Sequence, residues 1–156
     1  MAGLYGAFTV ADVAVTGGVP LCIMAINPPD ANSRALVTEY ELSFDGTNSA
    51  NTPARIDINR GTGGTFSSTT NAPYKINDPT GSLETLRFNM KKTCTVNPTL
   101  TDTIRSFRCP VFGGTIIIPN APGQEDVIYG SATVFLYVLI TAAQSVNVTC
   151  TVRYCE

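Results

Sequence analysis

The sequence predicts an all-β protein: a single-domain β-sandwich or jelly roll of about eight antiparallel strands, with little helix. Three observations support this. Apolar and polar residues alternate with period two in several segments, the chain contains 21 threonines, and turn-forming residues recur at short intervals. A length of 156 residues suits one domain covering 1–156, with an N-terminal arm over residues 1–7.

The segment 34–44 shows the alternation of a half-buried strand. One set of alternating residues is Leu36, Thr38, Tyr40, Leu42 and Phe44, and the other is Ala35, Val37, Glu39, Glu41 and Ser43. Successive side chains of a strand point to opposite faces. We therefore expect Leu36, Tyr40, Leu42 and Phe44 to face the core, and Glu39 and Glu41 to face solvent or an interface.

The segment 146–155 is the most regular strand of the chain. Val146, Val148, Cys150 and Val152 share one parity and are predicted to point inward. Arg153 has the other parity and should face solvent or an interface.

The remaining strands are predicted between turn signals rich in Gly, Pro, Asn and Asp. They are 6–15, 19–26, 54–60, 83–95, 104–111, 115–118 and 132–141. One fragment, 81–92, is ambiguous between helix and strand. The Gly-, Thr- and Ser-rich stretch 61–73 is predicted to be a long polar surface loop.

The glycines of that stretch do not form a phosphate-binding motif. A P-loop requires Lys followed by Ser or Thr after its glycines, because the lysine reaches the phosphates. Here Gly64 is followed by Thr-Phe-Ser-Ser. The G-x-G-x-x-G fingerprint of dinucleotide-binding proteins is also missing.

No catalytic set is present in the sequence, so we predict no enzyme activity, no catalytic residue and no cofactor. The chain has no histidine and no G-x-S-x-G motif. Its cysteines lack the histidine that normally activates such a nucleophile. Glu39 and Glu41 could in principle act as a carboxylate pair, but a solvated acidic face explains them more simply.

Cysteine spacing and charge exclude further classes of site. Five cysteines without paired C-x₂-C spacing and without histidine predict buried free thiols, of which at least one is unpaired, and no bound metal. The net charge of -2 and the lack of a basic cluster predict no nucleic-acid partner. The longest apolar run, 132–140, is too short to span a membrane, and no signal segment is evident. We therefore expect a soluble, non-secreted protein without a membrane partner.

The order of segments resembles a known family. The chain contains, in sequence, "VADVAVTGGVPLCIMAINP", "RALVTEYELSFDGT", "NTPARIDINRGTGGT", "NAPYKINDPTGS" and "GGTIIIPNAP". This layout, which spans nearly the whole chain, is similar to that of the small jelly-roll decoration, or cement, proteins on the heads of tailed bacteriophages. The chain ends in "VRYCE", whereas similar proteins often end in an acidic pair.

The resemblance implies a structural virion protein. Such a protein is made in the host cytoplasm and binds the outer surface of an icosahedral capsid as a homotrimer. There it bridges neighbouring major capsid proteins and stabilises the shell. The glycine- and threonine-rich stretch would then lie near a protein contact.

Two alternatives remain open in the sequence. The apolar N-terminal residues Met1, Ala2, Gly3, Leu4 and Tyr5 are predicted to contact the capsid, but Leu4, Tyr5 and Phe8 could equally begin the first core strand.

The second functional candidate is a carbohydrate- or receptor-binding β-sandwich of a phage tail or fibre. Sugar sites usually stack sugar rings on exposed aromatics, above all Trp, which this chain lacks.

Overall fold

The computed structural model describes residues 5–45, 52–71, 74–76, 88–112, 114–129 and 133–156. These residues form twelve strands and, within those ranges, no helix. The strands are β1 (Tyr5–Val15), β2 (Leu21–Asn27), β3 (Arg34–Phe44), β4 (Ala54–Thr62), β5 (Thr65–Asn71), β6 (Tyr74–Lys75), β7 (Asn89–Val96), β8 (Thr99–Cys109), β9 (Gly114–Pro119), β10 (Asp126–Tyr129), β11 (Phe135–Thr141) and β12 (Val146–Cys155).

The strands form two antiparallel sheets, and the predicted all-β sandwich is confirmed. In sheet A the order is β10-β3-β12-β1-β6, with β9 also paired to β3, and in sheet B it is β5-β7-β2-β11-β4-β8. Without β5, β6 and β7, the chain passes between the sheets as a jelly roll does, with β9 and β10 together serving as one strand. The jelly roll therefore has about eight strands, as predicted, and the other three belong to an insertion between β4 and β8.

The prediction of a long loop over 61–73 was wrong. β4 continues to Thr62, and β5 begins at Thr65 as the other arm of a hairpin. Gly63 and Gly64 form the turn, with φ of 69° and 80°, values that glycine adopts without a steric penalty. The threonines and serines that suggested a loop lie in strand β5, in keeping with the β preference of threonine.

Strand β8 begins earlier than predicted. The strand was predicted to begin at residue 104, but β8 starts at Thr99 and pairs with β4 from there to Cys109. The turn itself is confined to Asn97 and Pro98. The ambiguous fragment 81–92 is a strand from Asn89 onward, and its residues before 88 lie outside the described part of the chain.

The main core lies between the two sheets. From sheet A it receives Val146, Val148, Cys150 and Val152, which are all buried as predicted. Tyr40, Leu42 and Phe44 of β3 face the same core. Opposite them, β2, β4 and β11 of sheet B contribute further side chains, which are Ile23, Met24, Ile26, Ile56, Ile58, Leu136, Val138 and Ile140.

The prediction that Leu36 points inward was wrong. The register of β3 against β12 shifts between Glu39, which pairs with Arg153, and Val37, which pairs with Tyr154. Thr38 is the extra residue of this β-bulge, so the alternation of faces reverses there. Ala35 and Val37 are buried in the core, whereas Leu36 is only half-buried.

Candidate functional site

Four connections between strands contact one another in series: 16–20 and 141–147 lie at the Thr141 end of β11, 61–67 lies at its Phe135 end, and 95–101 joins the two groups. Together they form a surface without charged residues. We call it the uncharged tip and define it as residues 16–20, 61–67, 95–101 and 141–147. None of these residues is Asp, Glu, Lys or Arg, although charged residues make up 14% of the chain. The tip includes the glycine- and threonine-rich turn.

Direct contacts join the first three connections. At Gly64, a Cβ atom would lie 3.0 Å from the Val96 carbonyl oxygen, so the β4–β5 turn packs closely on the end of β7. Asn97 links the β7–β8 turn to the start of β2. Its side-chain oxygen accepts a hydrogen bond from the Cys22 N–H at 2.8 Å, and its side-chain nitrogen donates to the Pro20 carbonyl at 2.8 Å.

The fourth connection packs on the first. The Gly18 N–H donates to the Ala142 carbonyl at 2.8 Å, and the Gly17 N–H donates to the Ser145 hydroxyl at 3.2 Å. A Cβ atom at Gly17 would lie 2.7 Å from the Gln144 Cα, so this close approach requires glycine. The tip is therefore built from turns that hold one another through backbone contacts.

Three aliphatic side chains project from the tip into solvent. Val19 is 54% exposed, Val96 is 60% exposed and Leu100 is 55% exposed. Leu100 pairs with Gly61 across β8 and β4. Exposed aliphatic side chains on an uncharged surface are typical of a protein-contact site.

A second apolar cluster lies on the face of sheet B that points away from the main core. We call it the outer cluster: Cys22, Ala25, Cys94, Phe135 and Tyr137 are buried in it, and Phe66 and Leu139 pack against it. A Cβ atom at Gly61 would lie 2.6 Å from a ring carbon of Tyr137, which brings the cluster directly beneath the tip.

Lys91 covers part of the outer cluster. Its ammonium group lies 4.8 Å from the centre of the Phe66 ring and 4.7 Å from that of Phe135, a cation–π arrangement. Partial burial lowers the pKa of Lys91 from its ordinary value. The ammonium group of this lysine thus lies over aromatic surface and is partly buried there.

The outer face of sheet A carries the acidic residues singled out in the sequence. Glu39 and Glu41 both form ion pairs with Arg153, which lies on the neighbouring strand β12. All three side chains are between a quarter and two fifths exposed, as expected for a solvent or interface position. One guanidinium therefore binds both carboxylates in a three-residue ion-pair network.

Of the N-terminal residues predicted to contact the capsid, only Tyr5 lies in the described part of the chain. Met1, Ala2, Gly3 and Leu4 lie outside the described residues. Tyr5 begins β1 and is 44% exposed, and its carbonyl accepts a hydrogen bond from the Ile76 N–H at 2.9 Å. Because residues 16–20 follow the other end of β1, Tyr5 and that part of the tip lie at opposite ends of the strand.

Sequence reasoning did not single out Val19, Val96 and Leu100 as surface residues. One signal could have found them: four separate connections without a charged residue, of which one carries Val19 between glycine and proline and another carries Val96 and Leu100 around Asn-Pro. Only the fold shows that these connections meet.

The cysteines are free thiols, as predicted. Cys22, Cys94, Cys109 and Cys150 are buried, and Cys155 is half-buried. Burial raises the pKa of Cys150 to about 12. Among the described residues, no group of three or more Cys, Asp or Glu side chains is placed to hold a metal ion, and no helix is long and apolar enough to cross a membrane.

Comparison with known proteins gives only remote likenesses. No protein-family model and no curated protein sequence matches this chain. The VP2 subviral particle of infectious bursal disease virus aligns with 97% of this chain and 41% of its own, at 16% identity and a TM-score of 0.23. The structure of the Gx strain of that virus aligns with 97% and 42%, at 13% identity and a TM-score of 0.21. The chain thus spans about two fifths of these viral proteins, and its function has to be argued from its own residues.

Proposed function

We propose that this protein is a structural virion protein that decorates the outside of an icosahedral capsid. It binds as a homotrimer, bridges neighbouring major capsid proteins and uses the uncharged tip as its main contact. The observation that carries this proposal is the tip itself, in which four charge-free connections present Val19, Val96 and Leu100 to solvent. The resemblance of the segment order to phage cement proteins supports it.

The physical argument concerns desolvation. Burying a charged group at an interface is costly unless it is paired, whereas burying an aliphatic side chain is favourable. A surface without charges can therefore be buried against another protein with little electrostatic cost. Because the turns of the tip already hold one another, little conformational entropy is lost when the contact forms.

The trimer requires a second kind of surface. In a closed ring of three copies, one surface of each copy meets a different surface of the next. The outer face of sheet A can supply one of them, since the charges of Glu39, Glu41 and Arg153 already satisfy one another. A trimer also presents three tips at once, so that avidity compensates for a modest affinity of each tip.

Capsid binding by tip variants tests the proposal. The double variant Val96→Asp/Leu100→Asp introduces two charges into the tip at exposed positions and should keep the melting temperature of the parent protein. We expect at least about a tenfold loss of co-sedimentation with capsids that lack the protein, since each unpaired charge at an interface costs more than about 1 kcal/mol.

The matched control is Phe112→Asp. Phe112 is 48% exposed and follows β8 at the end of that strand away from Leu100. This variant should bind capsids like the parent. Equal binding by the tip variant and the parent would contradict the role of the tip, and light scattering that shows a monomer of the parent would contradict the trimer.

The N-terminal residues are a second proposed capsid contact. Deleting residues 2–4 leaves Tyr5, Gly6 and the pairing of β1 with β12 in place. Loss of capsid binding with an unchanged trimer and melting temperature would support a contact by these residues. A destabilised or monomeric product would instead mean that they extend the first core strand.

A further inference from the structure

Strands β2 and β7 each carry a buried cysteine at neighbouring positions beneath the tip. The two strands pair in antiparallel register, with Met24 opposite Lys92. The regular pairing ends there, and Cys22 and Cys94 lie two residues beyond that pair on their own strands. Both side chains belong to the outer cluster, where Cys22 is 0% exposed and Cys94 is 4% exposed.

The spacing of adjacent strands suits a covalent link at this position. Opposed residues in an antiparallel pair have Cα atoms about 4.5 to 5.5 Å apart, and disulfides span Cα distances of about 4.4 to 6.8 Å. The two thiols also interact in the reduced protein. Burial raises the pKa of Cys22, and a hydrogen bond with Cys94 raises it further.

The other three cysteines lie in different places. Cys150 is in the main core, with its sulfur 4.0 Å from that of Met24. Cys109 ends β8, and Cys155 ends β12. The pair in the outer cluster is thus the one that the adjacent strands β2 and β7 bring together.

We propose that Cys22 and Cys94 form an intramolecular disulfide when the folded protein meets a small-molecule disulfide such as oxidised glutathione. One protein thiolate attacks the oxidant and releases one glutathione thiol, which leaves a mixed disulfide. The second protein thiolate then attacks that cysteine sulfur and releases the second glutathione thiol. The protein loses two protons and two electrons, and oxidised glutathione takes them up to give two thiols.

The disulfide connects the insertion covalently to the jelly roll. β7 belongs to the insertion, whereas β2 is a jelly-roll strand, so the bond closes a loop that contains β3, β4, β5 and β6. Closing a long loop restricts the unfolded chain and stabilises the folded one. The backbone N–H of Cys22 also holds Asn97 of the tip, so the same bond braces the β7–β8 turn.

Because both thiols are buried, the reaction is slow and requires the free edge of sheet B to open. A raised pKa leaves little thiolate on Cys22, although the nearby ammonium of Lys91 favours that thiolate. The oxidant reaches the thiols when β5 and β7, at the free edge of sheet B, separate from β2. This inference goes beyond the proposed function and does not depend on it.

Thiol mapping tests the inference in the full chain. The Cys155→Ser background prevents the half-buried Cys155 from joining two chains. After long incubation with oxidised glutathione, followed by denaturation and alkylation, mass spectrometry should find a peptide pair linked through Cys22 and Cys94. The oxidised protein should melt about 5 to 10 °C higher than the reduced one, and a thiol reductant should reverse the shift.

The variant Cys94→Ala in the same background gives the control. It should show neither the linked peptides nor a redox-dependent melting temperature. A link between another pair of cysteines, a stable glutathione adduct without a link, or complete alkylation of Cys22 and Cys94 after oxidation would overturn the proposal. A melting shift that persists in Cys94→Ala would overturn it as well.

Discussion

The side chains of Arg105 and Asp126 join the two sheets: Nε of the arginine on β8 lies 3.1 Å from Oδ1 of the aspartate on β10. Asp126 is 5% exposed. Its other oxygen, Oδ2, accepts a hydrogen bond from the Tyr40 hydroxyl at 2.9 Å and one from the Asn120 side chain at 3.4 Å. One buried carboxylate thus binds groups from both layers of the sandwich.

Replacing Asp126 should destabilise the protein strongly. Asp126→Ala removes the acceptor of both Arg105 and Tyr40 and leaves a buried hydroxyl without that partner. We expect a loss of about 3 kcal/mol in the free energy of unfolding, at the lower end for broken buried ion pairs because Arg105 is partly exposed. Urea unfolding measures it. The exposed Arg108→Ala on the same strand should change that free energy by less than about 0.5 kcal/mol.

Removing the hydroxyl group should change the free energy of unfolding differently at two buried tyrosines. The Tyr154 hydroxyl is buried and has no hydrogen-bond partner among the described residues. Tyr154→Phe should therefore leave the free energy of unfolding unchanged or raise it by up to about 1 kcal/mol. Tyr40→Phe removes the bond to Asp126 and should lower it by about 1 to 2 kcal/mol. Equal losses for both variants in urea unfolding would contradict the conclusion that the Tyr40 hydroxyl is hydrogen-bonded to Asp126 and the Tyr154 hydroxyl is not.

Alkaline pH should destabilise the protein. Burial raises the pKa of Tyr40, Tyr137 and Tyr154 above 10.0, and that of Cys150 from 9.0 to about 12. Above these ordinary values the unfolded chain releases protons that the folded chain keeps, so the free energy of unfolding falls as pH rises. The fall should begin near pH 9 and steepen near pH 10. Lys91, whose pKa is lowered, makes an opposing contribution. Melting temperatures between about pH 7 and 11 that stay constant would contradict this.

Replacing either of two leucines of β3 by alanine should have a different cost in stability because of the bulge at Thr38. Leu42 is 0% exposed in the main core, and Leu42→Ala should cost about 2 to 5 kcal/mol in the free energy of unfolding. Leu36 is half-buried on the other side of the bulge, so Leu36→Ala should cost about 1 kcal/mol or less. The same loss for both variants in urea unfolding would mean that β3 keeps a single alternating face.

Local patterns in the sequence were sufficient to predict the inward-facing residues of the regular strands. The alternation over 146–155 predicted the inward residues of β12 correctly, because each side chain of an unbroken strand follows the parity of its neighbours. The pattern failed at Leu36 because a bulge depends on pairing with β12, a strand far away in the chain. The loop prediction over 61–73 failed because a two-glycine turn can return the chain as a hairpin.

The sequence by itself determined the all-β class, the jelly-roll expectation, the inward face of β12 and the absence of histidine-based chemistry. These follow from composition and local periodicity, which need no knowledge of distant contacts. Tertiary structure decided the insertion of β5 to β7, the bulge in β3, the placement of Cys22 and Cys94 in one cluster on adjacent strands, and the contacts among the four uncharged connections. Each of these depends on which distant strands become neighbours, and burial of the whole core selects that arrangement.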